Sequence, residues 1–381
     1  MKNIYLDHAA TSPVHPDVIE RITKVMQEVY GNPSSIHAFG RKARQIVDNA
    51  RTTIAKSIGC KYNEIIFTSG GTESDNLAIK GIAHAYRENG KHIITSSIEH
   101  HAVLHTCHSL EKEGYEVTYL PVNEKGMISI EDFQNSLRDD TIIVSIMFGN
   151  NEIGTIQPIA EIGEILEGHQ AFFHTDAVQA YGLVPIDVSK LKLDALSVSA
   201  HKINGPKGTG FLYLKEGIKL APALHGGEQE RKRRAGTENV TNIAGFEEAV
   251  KLAQNTMEQK AAYYQKLKNL LMTELQNRGV HFELNGDIEH SLPHVINLSF
   301  PGIDVEAFLV NLDLGGVSVS SGSACTAGSI EPSHVLTAMF SSGSERLRNS
   351  IRFSFGLFNT EEDIVDAAEI VATVAKRLTS L

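Results

Sequence analysis

Cysteine is scarce: three in 381 residues, Cys60, Cys107 and Cys325, widely separated. That number and spacing exclude a disulfide framework and a zinc ribbon, and they point to a reducing compartment. Positive charge is short as well. Lys and Arg number 35 against 46 Asp and Glu, a formal net charge of −11, which argues against a protein that coats nucleic acid. No apolar run approaches the length of a membrane-spanning helix. The first seven residues carry one lysine and no apolar core, so no signal peptide is expected and a cytoplasmic location is. There is no internal repeat and no low-complexity stretch. No Gly-Lys-Ser/Thr closes a Walker loop, and no Gly-x-Gly-x-x-Gly dinucleotide fingerprint occurs.

What is present is an ordinary globular composition, 41% hydrophobic and 21% charged, in a chain long enough for one large domain and a smaller one. Short apolar runs at Ile65–Phe67, His92–Ile94, Val117–Leu120, Ile142–Ser145, Ala171–Phe173 and Leu196–Val198 read as strands, and Thr209–Leu214 as one more. Amphipathic stretches such as Ala102–Gly114 and Ile159–Glu167 lie between them. The alternation predicts a mainly parallel sheet with helices on both faces, an α/β protein. Past about Ala244 the pattern changes. A long helix is expected over Glu247–Asn277, strands over Val295–Phe300 and Ile351–Ser354, and a helix over Val305–Leu312. A last helix starts at Thr360, with Glu361, Glu362 and Asp363 in its first turn. The expected division is a large domain over residues 13–250 and a smaller α+β domain from residues 1–12 and 251–381.

In open α/β sheets ligands sit beyond the carboxyl ends of the strands, and polar sets do follow the predicted strands. Lys202 follows Leu196–Val198, and Asp176 follows Ala171–Phe173. A lysine and an acid at neighbouring strand ends suit pyridoxal phosphate. The amine condenses with the cofactor aldehyde, and the carboxylate keeps the pyridine nitrogen protonated so that the ring accepts carbanion electrons. A surface lysine and a helix-capping aspartate are the bland alternatives. Gln179, three residues after Asp176, can reach the same ligand. The turn Thr68-Ser69-Gly70-Gly71-Thr72-Glu73-Ser74 opens a helix and can bind phosphate through Gly71 and Thr72, although a capping turn without ligand reads the same way. His100 or His101 could stack on a pyridine ring and carry protons. Asn151 is either a turn residue or a ligand to cofactor or substrate.

Cys325 sits among small residues in Ser320–Ser329, which fits a nucleophile on an accessible arm or a free thiol in a loop. Arg352, alone in the alternating strand Ile351–Ser354, calls for a bidentate partner: a substrate carboxylate or an internal acid. The basic run Arg231-Lys232-Arg233-Arg234 reads as a solvated loop or as a docking patch for an acidic partner or RNA.

Taken together, these segments resemble the cysteine desulfurases of the NifS/IscS type, class V aminotransferase-like enzymes of pyridoxal-phosphate fold type I. The resemblance runs from Tyr5–Thr11 and Gly31–Ser35 through the 68–74 turn, Glu99-His100, Asn150–Gly154, His174–Gln179 and His201-Lys202 to Arg234–Thr237 and Gly322–Cys325. It implies a seven-stranded sheet and a homodimer. Lys202 would bind the cofactor, and Gly71, Thr72, Ser199 and His201 its phosphate, with Thr237 supplied by the neighbouring subunit. His100 rather than His101 would be the stacking, proton-handling residue. Asp176 would pair with the ring nitrogen, Gln179 and Asn151 would contact the hydroxyl side, and Arg352 with Asn151 would hold the substrate carboxylate. Cys325 would accept sulfur from L-cysteine as a persulfide on a mobile loop of about residues 321–333, leaving L-alanine. No metal and no direct contact with nucleic acid or membrane is implied. The sequence stops at Leu381, directly after the last helix, where housekeeping iron–sulfur members carry a tail that grips the scaffold. A tRNA-thiolating enzyme is therefore expected as acceptor beside an iron–sulfur scaffold. A selenocysteine lyase, or another pyridoxal-phosphate lyase or aminotransferase, is the rival reading.

Overall fold

The computed structural model describes residues 3–322, 325–326, 329–330 and 332–379, for the two short pairs the backbone course alone. Its centre is a seven-stranded sheet. In spatial order the strands are Ile65–Thr68, Gly210–Leu214, Ala195–Ser199, Phe172–Asp176, Thr141–Ser145, His92–Ser96 and Glu116–Leu120. All neighbours run parallel except Gly210–Leu214, which is antiparallel to both of its partners. Five of the strands are buried throughout. That explains their Ile/Val/Leu-rich runs without alternation, as expected when helices cover both faces. Each expected strand of this sheet is present; the one expected over Ala171–Phe173 runs Phe172–Asp176, and the one expected over Thr209–Leu214 starts at Gly210.

The reversal at Gly210–Leu214 shapes the site. Gly210 pairs with both Thr68 and Ser199, the last residues of two parallel strands. A Cβ on Gly210 would lie 2.5 Å from the Val198 carbonyl oxygen and 2.7 Å from Gly70 Cα. Only glycine lets the turn after Thr68 close down on the strand end that leads to Lys202.

A second apolar core surrounds a three-stranded antiparallel sheet, ordered Ser350–Ser354, Val295–Ser299, Glu283–Asn285. It collects the helices Val305–Leu314 and Glu361–Thr379, as well as Ile4 and Leu6 from the amino end. Thr360 and Asp363 cap the last helix reciprocally: each side chain accepts from the other's backbone N–H, at 3.1 and 2.8 Å. The long helix is longer than expected, Val240–Asn277, because Asn239 caps it at Asn242 N–H. Its first half packs in the core of the large sheet through Phe246 and Val250. Its second half packs in the other core through Leu267, Leu271 and Leu275. Among the described residues no helix is long and apolar enough to cross a membrane.

Each residue of the run Arg231–Arg234 has a partner within the chain. Arg231 stacks over Tyr62 at 5.2 Å, Lys232 pairs with Glu228 at 3.0 Å, Arg233 donates to the Asn63 carbonyl at 2.8 Å and Arg234 pairs with Glu73 at 2.7 Å. Arg231 and Lys232 remain exposed, as a solvated loop would have them, while Arg234 braces the turn before the Gly71–Ala85 helix.

Candidate active site

Strand ends bring the polar residues together. Asp176 ends its strand and is buried, accepting from the Val178 N–H at 2.9 Å. Ser199 ends the neighbouring strand, and the short 3-10 turn Ala200–Ile203 then delivers His201 and Lys202. The helix Gly71–Ala85 starts at the same level. Gly71 has no room for a side chain, because a Cβ there would meet Val178 at 2.8 Å. Lys202, Asp176, His100, Gly71, Thr72, Asn151, Gln179, Ser199, His201 and Arg352 all line one cavity of about 570 Å³. Thr237 is exposed and does not line its own chain's cavity. The Cys325 side chain and part of the expected 321–333 arm lie outside the described residues. The backbone of Cys325–Thr326 pairs antiparallel with Ser329–Ile330.

Lys202 Nζ donates to the carbonyl oxygens of Ala9 and Ala10. Burial and the nearby charge of Arg352 push its pKa down to about 8. A lysine so tuned offers a free amine near neutrality. Burial raises Asp176 to about 6, opposed by the Val178 N–H and the Lys202 charge, so it is ionised at pH 7. Two further acids lie close by. Asp75 is held well above the usual carboxylate range by burial and then by the charge of Asp176, and burial lifts Glu99 to about 8. Burial thus favours the protonated form of both.

His100 caps the His101–Lys112 helix. Its Nδ1 accepts from the Ala102 N–H at 3.1 Å, which places the ring proton of the neutral imidazole on Nε2. Burial, then the charge of Lys202, lowers its pKa to about 4. His101 also lines the cavity, and its ring packs against His105 and His334 at 4.9 and 4.6 Å between ring centres. Gln179 bridges the Ala9 carbonyl at 2.9 Å and His294 Nε2 at 3.0 Å. His201 Nδ1 meets Thr11 Oγ1 at 3.1 Å.

Both partners considered for Arg352 are relevant. It donates to Asp7 Oδ1 at 2.7 Å and to the Asn151 carbonyl at 3.0 Å, while its Nε is buried without a partner. The guanidinium thus has an internal acid, and Arg352 also lines the cavity. Sequence reasoning assigned no site role to Asp7, Asp75, Glu99 or Glu152. Glu99 and Glu152 stand directly beside residues that were singled out, yet nothing in one dimension marks their burial.

Residues 4–366 match the aminotransferase class-V family, and the chain belongs to it. Full-length relatives narrow the class. The chain is 61% identical over 379 residues to a protein described as putative cysteine desulfurase IscS 1 of Bacillus subtilis, each covered completely. It is 51% identical to cysteine desulfurase IscS of Methanosarcina thermophila, covering 100% of this chain and 94% of that one. A solved NifS-like protein superposes with a TM-score of 0.91 at 36% identity, with full coverage of both. Within the class-V family the chain is thus a cysteine desulfurase of the NifS/IscS type, an enzyme dependent on pyridoxal phosphate.

The cavity fits that cofactor on its own geometry. Only a glycine fits at position 71, where the helix N-terminus borders the cavity, as a phosphate requires. An ionised buried acid and a lysine of lowered pKa face the same space. The Arg352 guanidinium borders the same space.

Proposed function

We propose that the chain converts L-cysteine to L-alanine and passes the sulfur, as a persulfide on Cys325, to a separate acceptor protein. The observation that carries the residue assignment is the convergence of Lys202, Asp176, His100 and Arg352 on one cavity. The cofactor supplies an electron sink for the carbanion at the substrate Cα. Gly71, Thr72, Ser199 and His201 hold its phosphate, and Gln179 and Asn151 its hydroxyl side. Asp176 keeps a proton on the ring nitrogen. Lys202 Nζ would hold the cofactor aldehyde, and the same amine is placed to take the substrate Cα proton. His100 stacks on the ring and exchanges protons through Nε2, the nitrogen left free by the Ala102 N–H. Arg352, with Asn151, binds the substrate carboxylate. The Cys325 thiolate attacks the substrate sulfur. An S–S bond forms, the Cβ–S bond breaks with its electron pair left on carbon, and protonation of that carbon gives L-alanine.

Several finer features belong to the same reading. The enzyme is a cytoplasmic homodimer, supported by an exposed Thr237 outside its own cavity and by the exposed Tyr30, Ile36 and Phe39. Residues 13–250 form the large domain, and residues 1–12 with 251–381 the smaller one, supported by the two apolar cores. The acceptor is a tRNA-thiolating enzyme or an iron–sulfur scaffold.

Mass spectrometry of the holoenzyme after L-cysteine tests the reading. The peptide bearing Cys325 gains ~32 Da, one sulfur, and loses it to reductant. Cys325→Ser retains cofactor and gains nothing. Sulfide release at the native rate by that variant overturns the assignment. Incubating the persulfide form with each acceptor class and following transfer of the labelled sulfur separates the two recipients.

A further inference from the structure

We propose that Glu152 is the positioning residue of the sulfur-accepting segment, its carboxyl group joining the two ends of the chain that carries Cys325. The inference rests on the desulfurase reading and goes beyond it. Glu152 is 3% exposed and lines the active-site cavity. Its Oε2 accepts a hydrogen bond from Ser333 Oγ at 2.5 Å. Ser333 Oγ in turn accepts from the Leu336 N–H at 3.1 Å and so caps the His334–Phe340 helix. At the other end, Gly322 lies against the same carboxyl group: a Cβ there would stand 2.6 Å from Oε2. Gly322 has φ 84°, and its N–H donates to Ser320 Oγ at 3.1 Å. Ser320 exchanges backbone hydrogen bonds with Arg352. The chain between Gly322 and Ser333 thus leaves from and returns to a single buried carboxyl group.

A carboxyl group in this setting is costly unless it is bonded. Burial raises it to about 7, against the pull of the Ser333 hydroxyl and the Arg352 charge. The preceding residue, Asn151, offers its carbonyl to Arg352, so the root of the segment and the substrate-carboxylate site share one stretch of backbone. Fixing both ends of an arm raises the effective concentration of its nucleophile at the substrate sulfur without touching the substrate.

The test is a double-mutant cycle on the holoenzyme with Glu152→Ala and Ser333→Ala. It reads the absorbance response to L-cysteine, the KM for L-cysteine and, by mass spectrometry, single-turnover persulfide formation on Cys325. The absorbance response stays and KM stays within about twofold, while each single variant slows persulfide formation about tenfold. The double variant is no slower than the slower single one, because both remove the same bond. Glu152→Gln restores most of the rate, since its amide oxygen still accepts from Ser333. Native-rate persulfide formation in Glu152→Ala, additive losses in the double variant, or a Gln variant as slow as Ala overturns the proposal. If Glu152→Ala fails to load cofactor, Ser333→Thr against Ser333→Ala decides: Thr keeps the hydroxyl and the rate, and equal rates overturn it. Absence of persulfide from the unaltered holoenzyme ends the desulfurase reading itself, a result separable from all of these.

Discussion

At the residue scale the chemistry depends on how burial sorts like groups into different protonation states. Lys202 is pushed down to about 8 by burial and the Arg352 charge. An amine condenses with an aldehyde only as the free base, so capture of cofactor by the cofactor-free protein accelerates as pH rises and levels off above about 8. A model lysine amine continues to accelerate towards about 10.4. Stopped-flow absorbance across pH checks this, and a protein profile that tracks the model amine contradicts it. Lys202→Ala abolishes the visible band of the lysine-bound cofactor and turnover alike. Persistence of that band in a purified, dialysed variant would show that another amine carries the cofactor.

Glu99 behaves in the opposite sense to an ordinary carboxylate. Its Oε1 accepts from Ser96 Oγ and the Met147 N–H, while Oε2 is buried without a partner. Burial raises it to about 8, above the usual value near 4.3 for the unfolded chain. A raised acid stabilises the fold below the unfolded pKa and loses that contribution as pH climbs through the folded one. Glu99→Gln keeps the Oε1 acceptor and removes the titration. Its melting temperature therefore exceeds the parent's at pH 8, by about 1 °C for each kcal/mol recovered in a chain of this length, and the gap closes towards pH 5. Calorimetry at both pH values measures it.

At the element scale, three consecutive non-glycine residues, Glu230, Arg231 and Lys232, take left-handed backbone angles. Such residues cost roughly 1–2 kcal/mol each. The turn is held by Arg51, which donates from both Nη1 and Nη2 to the Glu230 carboxylate at 2.7 Å inside the protein, and by the Phe67 N–H at 3.2 Å. Arg51→Ala strands a buried carboxylate and lowers stability by about 3–5 kcal/mol, measured by denaturant unfolding. The same comparison shows what one dimension conceals. Strands such as Ile142–Ser145 were legible because burial on both faces leaves an uninterrupted apolar run. The lysine and acid at adjacent strand ends were legible because a parallel sheet gathers its strand ends. The direction of Gly210–Leu214 was not, since an antiparallel strand buried on both faces reads like a parallel one. The internal fate of Arg231–Arg234 was hidden too, because a basic run shows its charge and not the Tyr62, Asn63 and Glu73 that meet it.

At the scale of the whole molecule, the proposed dimer makes a prediction that one subunit cannot. If Thr237 serves the neighbouring site, Lys202→Ala and Thr237→Ala subunits complement each other. A hybrid dimer has one site with both residues intact and one with neither. Mixing the two inactive or weakened homodimers under exchange conditions then restores native cofactor affinity to half of the hybrid's sites, read by equilibrium titration. No recovery despite proven exchange removes Thr237 from its assigned place.

The helix Val240–Asn277 runs 38 residues without a break, about 57 Å. It threads the core of the large sheet with one half and the core of the small sheet with the other. Such a rod works as a shared axle. Neither half of the protein can twist about it without carrying the other along, and heat that loosens its seat at one end robs the far end of its bearing. The chain therefore melts in one calorimetric event, with calorimetric and van't Hoff enthalpies in agreement, even though its two sheets have separate apolar cores.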